Sequence, residues 1–307
     1  MLARRRGMGT GQRVLVYLSR SHAHPRPARF EQSIVGHFGA IHEDGREVHC
    51  GKEAHQFLIS DREFCGSSKV LLKRPPFCPI KLLSADQAAS LPGEIRDRGV
   101  DVGVAVLLQS ATGEVLLTRR ARRLSIFPNV WVPPGGHVEP DEKLLEAGLR
   151  ELQEETGLQL QAGEFSCQTL GLWESVYPPY LSRGLPRRHH VVLYLWLLSQ
   201  ERHQQLQGRL KPDEAEVSAY AWLEPRLLAA IAATGDEAGG GNSAGDAHLP
   251  PTLRITELKN GSAQSVQIPV ATFFNTAPAQ GDDLERVSTG TKFALQQWRN
   301  VSAARVE

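Results

Sequence analysis

Cysteine is scarce in this 307-residue sequence, and the four present, Cys50, Cys65, Cys78 and Cys167, form no CxxC pair and have no histidine at matching spacing. That pattern disfavours a structural zinc and a secreted disulfide scaffold, and it fits a reducing compartment, with the cytoplasm as the expected location. Long apolar runs are missing as well: Val191–Leu198 spans eight residues, far short of the ~20 that cross a bilayer. No membrane partner is expected. Charge of one sign is not in excess, with 35 Lys plus Arg against 34 Asp plus Glu and a formal net charge of +1. The overall field therefore does not advertise long nucleic acid, no DNA-binding motif is present, and any phosphate recognition must be local. Acid is absent from Met1 to Arg29 while arginine recurs at 4, 5, 6, 13, 20, 26 and 29. A mitochondrial presequence shares that composition and is the minor alternative location, because Val14–Leu18 reads as a strand. No internal repeat is visible, and no feature specifies an oligomeric state.

With 41% hydrophobic and 22% charged residues in 33.8 kDa, the chain has room for one catalytic core with smaller flanks. Residues 1–95 read as an accessory region of short strands such as RVLVYL and KVLL. Residues 96–233 read as the catalytic domain. VDVGVAVLL suits a buried central strand, Ala111-Thr112-Gly113 turns the chain, and EVLLTRR gives a second strand. The loop WVPPGGHVE precedes helical spacing from Pro140 to Thr156, and Gly157 stands where a helix C-terminal glycine would. Strands follow at Thr169–Tyr177 and His189–Leu198, around the loop PPYLSRGLPRR, and again at Val217–Leu223 before a short helix opened by Pro225. Residues 234–248, rich in Gly, Ser, Asn and Asp, read as a flexible linker. Residues 249–307 form an extension with a hairpin at Asn260-Gly261 and a helix around KFALQQW.

The chemistry concentrates between Gly136 and Leu158. At about 100° per residue, Glu154, Glu151 and Glu155 lie about 40°, 100° and 140° from Arg150, whereas Leu145, Leu149 and Leu152 gather at about 200–260°. One face is acidic and the opposite face is apolar. Glu151 and Glu155 repel at i,i+4 by roughly 0.2–0.5 kcal/mol. Glu154 and Glu155 also oppose the helix dipole, at about 0.3–1 kcal/mol each. Such a face calls for a cation, and three carboxylates suit a hard one, Mg²⁺ or Mn²⁺. Arg150 can pair with Glu154 and reach back to Glu142, holding the carboxylates in place.

GHVEPDEKLLEAGLRELQEETGL matches G-x5-E-x7-R-E-U-x-E-E-x-G-U at every position, a spacing that arises by chance with probability on the order of 10⁻⁷. It resembles a complete Nudix box. The resemblance implies an α/β (α+β) fold, a mixed β-sheet sandwiched between helices, here with N-terminal and C-terminal extensions. It further implies divalent-metal hydrolysis of a phosphoanhydride in a nucleoside diphosphate derivative. Glu151, Glu154 and Glu155 become metal ligands, with the Gly136 carbonyl as another, and Arg150 and Glu142 become orienting groups. The general base is Glu154 or Glu155, or Glu216 from a distant loop.

Other phrases, RGVDVGVAVLLQS, LLTRRARRLSIFPNVWVPPGGHVE, GLWESVYPPYLSRGLPRRHHVVLYL and ERVSTGTKFAL, resemble an animal branch of that family. The branch implies release of methylguanosine diphosphate from the messenger RNA cap. A capped RNA 5′ end would then be the nucleotide partner. Arg183, Arg187, Arg188, His189 and His190 form a basic stretch beside the inferred site, and Trp173, Tyr177 and Tyr180 offer rings for a base. Two other readings stand beside this one. LLTRRA partly resembles the coenzyme A pyrophosphatase signature, which breaks at Ser125 and at Pro133-Pro134-Gly135-Gly136, leaving coenzyme A, nucleotide sugars or dinucleotides as substrates. A catalytically inactive nucleotide-binding module is the other, against which the intact Glu151, Glu154 and Glu155 count.

Overall fold

A computed structural model describes residues 13–304 except 22, 41, 235–248 and 282. The linker expected at 234–248 thus lies, apart from Thr234, outside the described residues, as does the start of the acid-free N-terminal stretch. No helix among the described residues is long and apolar enough to cross a membrane.

The expected fold class is observed: one continuous mixed sheet with helices on both faces. Its centre is Asp101–Gln109, a Val-rich strand whose side chains are buried on both faces from Asp101 to Leu108, as a covered strand requires. It runs parallel to Arg188–Ser199, with His190 opposite Asp101 and Leu198 opposite Gln109. Arg188–Ser199 pairs antiparallel with Phe165–Tyr177. The N-terminal strands continue the same sheet. Ser68–Lys73 lies parallel to Phe165–Tyr177, Gly45–Glu53 and Gln56–Ser60 follow, and Leu15–Ser19 returns to the centre through Leu15 opposite Asp101. These seven strands close on themselves, which removes their free edges. One buried cluster accordingly joins Val16, Phe57, Ile59 and Leu72 to Val102, Val104, Leu193 and Leu195.

The acidic helix spans Leu144–Thr156, four residues shorter at its start than the helical spacing from Pro140 suggests. Lys143 is its N-cap, and the Lys143 amide donates to Glu146 at 2.8 Å, so the turn before it is spent on capping. Gly157 ends it in the left-handed region at φ 75°. Gly148 lets the helix lie against Val106 and Leu195.

The opposite face of the sheet is covered by helices Pro225–Ala233 and Thr289–Ala303, with Leu228, Ile231, Phe293 and Trp298 meeting Trp131, Trp173 and Trp196. The expected hairpin is present as Thr252–Lys259 with Ser262–Pro269, turned by Asn260 and Gly261 at φ 54° and 75°. The C-terminal extension also reaches the strand that leads into the site. Arg286–Val287 runs parallel to Val130–Trp131, and Glu285 accepts from the Trp131 indole at 2.8 Å and from Arg119 at 3.0 Å. Glu285→Ala is expected to cost roughly 1–3 kcal/mol, because it leaves the buried Trp131 indole N–H without its acceptor and removes one of the two carboxylates paired with Arg119. Chemical denaturation at unchanged m-value would read this.

Candidate metal and phosphate site

The helix presents its carboxylates to the short strand Gly135–His137, which pairs with Gly103–Ala105 of the central strand. Glu151 and Glu155 are 9% and 5% exposed, whereas the Glu154 side chain is 55% exposed. Arg150 gathers the cluster. Its guanidinium donates to Glu142 at 2.8 and 3.0 Å, to Glu151 at 2.9 Å, to Glu154 at 3.1 Å and to the His137 carbonyl at 2.8 Å. Glu142 also accepts the Glu139 amide at 2.7 Å, fixing the loop before the helix. Burial tends to raise the Glu142 carboxyl, but the Arg150 hydrogen bonds outweigh it and hold Glu142 below its usual range.

Glu155 experiences the opposite balance. Burial pushes its carboxyl up to about 8; Arg120 and the Gly135 amide pull it down, while Glu151 and Glu216 add like charge. Glu151 is also raised, first by burial, with Arg150 opposing and Glu154 and Glu216 reinforcing. Two buried carboxylates facing a third acid are held up in energy until a cation joins them. The donor set of Glu151, Glu155 and the Gly136 carbonyl is all oxygen, which fits a hard divalent ion. Among the described residues no three His, Cys, Asp or Glu side chains already stand as a ligand cage. Arg150 draws Glu154 outward along the helix, so a cage requires that side chain to turn.

Gly136 is tied to this geometry, because a Cβ there would collide with the Glu151 carboxyl. Gly136→Ala is therefore expected to displace that carboxylate and lower turnover by about 10²-fold, with the melting temperature little changed. A variant of normal turnover would show that Glu151 need not stand where it does.

Glu216 does belong to the neighbourhood. The loop before Val217–Leu223 is pinned to the helix end, since Lys211 and Asp213 amides donate to the Thr156 and Glu155 carbonyls at 2.8 and 3.0 Å. The proposed substrate groups divide. Trp173 is buried against Phe293, with ring centroids 5.4 Å apart. Arg183 pairs with Asp283 at 2.7 Å, its side chain 13% exposed, and so tethers the loop to the C-terminal extension. His189 is buried, bonded to Glu174 at 3.2 Å and facing the Phe30 carbonyl oxygen at 2.7 Å. Tyr180 stacks on Phe77 at 4.2 Å. Arg187 is exposed, whereas Tyr177 is buried at 8% exposure, its ring met by Phe127 and by the Arg187 guanidinium 5.2 Å from the ring centre. Arg188 ends the paired strand opposite Tyr177.

Three residues of this neighbourhood escaped the sequence reading. Arg120 acts electrostatically on Glu155 and donates to the Ile126 and Phe127 carbonyls at 3.1–3.2 Å. Phe127 and Asn129 both take positive φ, 48° and 61°, and the Phe127 ring meets Tyr177 edge-on at 5.0 Å. Strained non-glycine backbone of this kind persists where neighbours over-determine it. The only signal in the sequence was the Arg-rich phrase RRARRLSIFPN, which does not say which arginine turns inward.

The NUDIX domain family matches residues 99–239. A Xenopus laevis relative named m7GpppN-mRNA hydrolase NUDT17 is 56% identical, over 95% of this chain and 96% of that protein. Its Homo sapiens counterpart, of the same name, is 50% identical over 93% of this chain and 87% of that protein. Among solved structures, a MutT/nudix family protein from Enterococcus faecalis is similar over 73% of this chain and 72% of its own, at 16% identity and a TM-score of 0.37. Nudix hydrolases generally use divalent metal ions. With half or more of its residues shared along nearly the full length of these relatives, the chain belongs to the Nudix hydrolase family.

Proposed function

We propose that this enzyme hydrolyses a phosphoanhydride bond in the 7-methylguanosine cap of messenger RNA, releasing 7-methyl-GDP. The observation that carries the reading is the buried Glu151–Glu155 pair beside Gly136, in a chain more than half identical to a relative named for that reaction. Mg²⁺ or Mn²⁺ is the proposed cofactor, held by Glu151, Glu154, Glu155 and the Gly136 carbonyl. When bound, such an ion neutralises phosphate oxygens and acidifies a water. Arg150 and Glu142 keep the carboxylates in register. Glu154, exposed at the helix edge, or Glu155 takes the proton of the attacking water, with Glu216 as the loop alternative. Arg187, exposed over the buried Tyr177 ring, forms the edge on which the capped end rests. The four free thiols accord with the cytoplasm as the place of action.

A substrate panel tests the proposal. Methylated cap, unmethylated cap, coenzyme A, NADH and dinucleoside polyphosphates are offered with Mg²⁺ and with Mn²⁺, and products are weighed by mass spectrometry. Release of 7-methyl-GDP from capped RNA with the highest kcat/KM is expected. Preference for coenzyme A or a dinucleotide would replace the cap as substrate.

A further inference from the structure

One long side chain of the N-terminal strands hydrogen-bonds to the loop of the catalytic machinery. Lys52 lies on Gly45–Glu53, opposite Phe57 of the neighbouring strand, within the closed ring of seven strands. From that rigid mount its ammonium donates to the Pro140 carbonyl at 2.7 Å. Pro140 belongs to the loop that carries Glu142, and Glu142 accepts from Arg150, which in turn donates to Glu151 and Glu154.

A cavity of about 390 Å³ separates the strand rim from this loop, lined by Cys50, Lys52 and Ser68 on one side and Asp141, Glu142 and Leu144 on the other. Val138 and Leu144, on either side of the loop, join the core of the N-terminal strands, while the loop itself borders the cavity. The Lys52 hydrogen bond spans the gap, and its charge acts on Glu142 in the same sense as that of Arg150. Catalytic constellations need such support, because a loop left to itself holds ligands less accurately than a strand does.

We propose that Lys52 is a positioning residue: it anchors the Pro140–Glu142 loop to the N-terminal strands, and thereby sets the Glu142–Arg150 clamp that holds Glu151 and Glu154 for the metal. The inference rests on the metal-site reading above, but not on the identity of the substrate. It gives the N-terminal region a share in assembling the site.

The test compares wild type, Lys52→Met and Lys52→Arg in the full chain. Mn²⁺ binding is followed by electron paramagnetic resonance on protein alone, beside kcat, KM and melting temperature. Lys52→Met is expected to weaken Mn²⁺ binding about tenfold, the lower end of what supporting groups around metal ligands contribute. Its kcat should fall comparably, with KM and melting temperature nearly unchanged. Lys52→Arg, which keeps a donor and a charge, should recover most of the loss. Mn²⁺ affinity and kcat within twofold of wild type in Lys52→Met would overturn the proposal, as would losses that merely track a lowered melting temperature or that Lys52→Arg fails to repair. Wild type that binds no Mn²⁺ would overturn the metal-site reading itself, a distinct outcome.

Discussion

Glu155→Gln is expected to lower kcat by roughly 10³-fold or more, the several kcal/mol that a correctly held metal contributes to charge stabilisation. The fold should survive, and the metal-free variant should be more resistant to denaturant than wild type at pH 8. The reason is the position of Glu155, 5% exposed, with its carboxyl pushed up to about 8 by burial against an ordinary value of 4.5. A carboxyl raised on folding binds its proton more tightly in the native state. Stability from that proton is complete below the unfolded value and drains away as pH climbs through the folded one. Metal-free wild type should therefore weaken between about pH 4.5 and 8, and Glu155→Gln should not share that slope. Stability curves against pH, with and without Mn²⁺, measure both effects. Equal turnover in the variant, or equal slopes, would remove Glu155 from the site.

Glu174→Gln is expected to destabilise the protein by about 3–5 kcal/mol, the usual result of removing a fully buried carboxylate from the donors built around it. Glu174 is 0% exposed and accepts from the Ile34 and Val35 amides at 2.8 and 3.0 Å, from Ser33, and pairs with His189 at 3.2 Å. Glutamine presents one oxygen where two are needed and turns an amide NH₂ toward backbone donors. Burial alone would raise the Glu174 carboxyl, yet His189 and the two amides hold it below the ordinary 4.5. A depressed carboxyl contributes stability that is present above the unfolded value and lost as pH falls below it, so wild type should lose its advantage over Glu174→Gln in acid below about pH 4.5. Guanidinium titrations at pH 7 and pH 4 read both numbers. A loss under 1 kcal/mol at pH 7 would mean that water replaces the missing acceptor.

The helix, its C-terminal end and the acidic edge were legible because they depend on neighbours within a few residues. Capping, a glycine at φ 75° and repulsion at i,i+4 are local. The hairpin at Asn260-Gly261 was legible for the same reason. What could not be read was pairing across the chain. Arg183 looks like a phosphate ligand until Asp283 comes to lie beside it, and Trp173 looks like a stacking platform until Phe293 covers it. Arg120 and Arg123 are indistinguishable in an arginine-rich phrase. In the fold, Arg120 turns toward Glu155 while Arg123 caps the Glu214 and Ala215 carbonyls from the outside. The closure of the N-terminal strands onto Asp101 was equally hidden, since period-two alternation specifies a strand but not its partner.

The strand at Arg286–Val287 lies against Val130–Trp131, immediately before Gly135 and Gly136. A nascent polypeptide consequently cannot make this pairing while those late residues remain inside the ribosome. The backbone pairing that flanks the approach to Gly135 and Gly136 is thus among the last that a newly made chain can form.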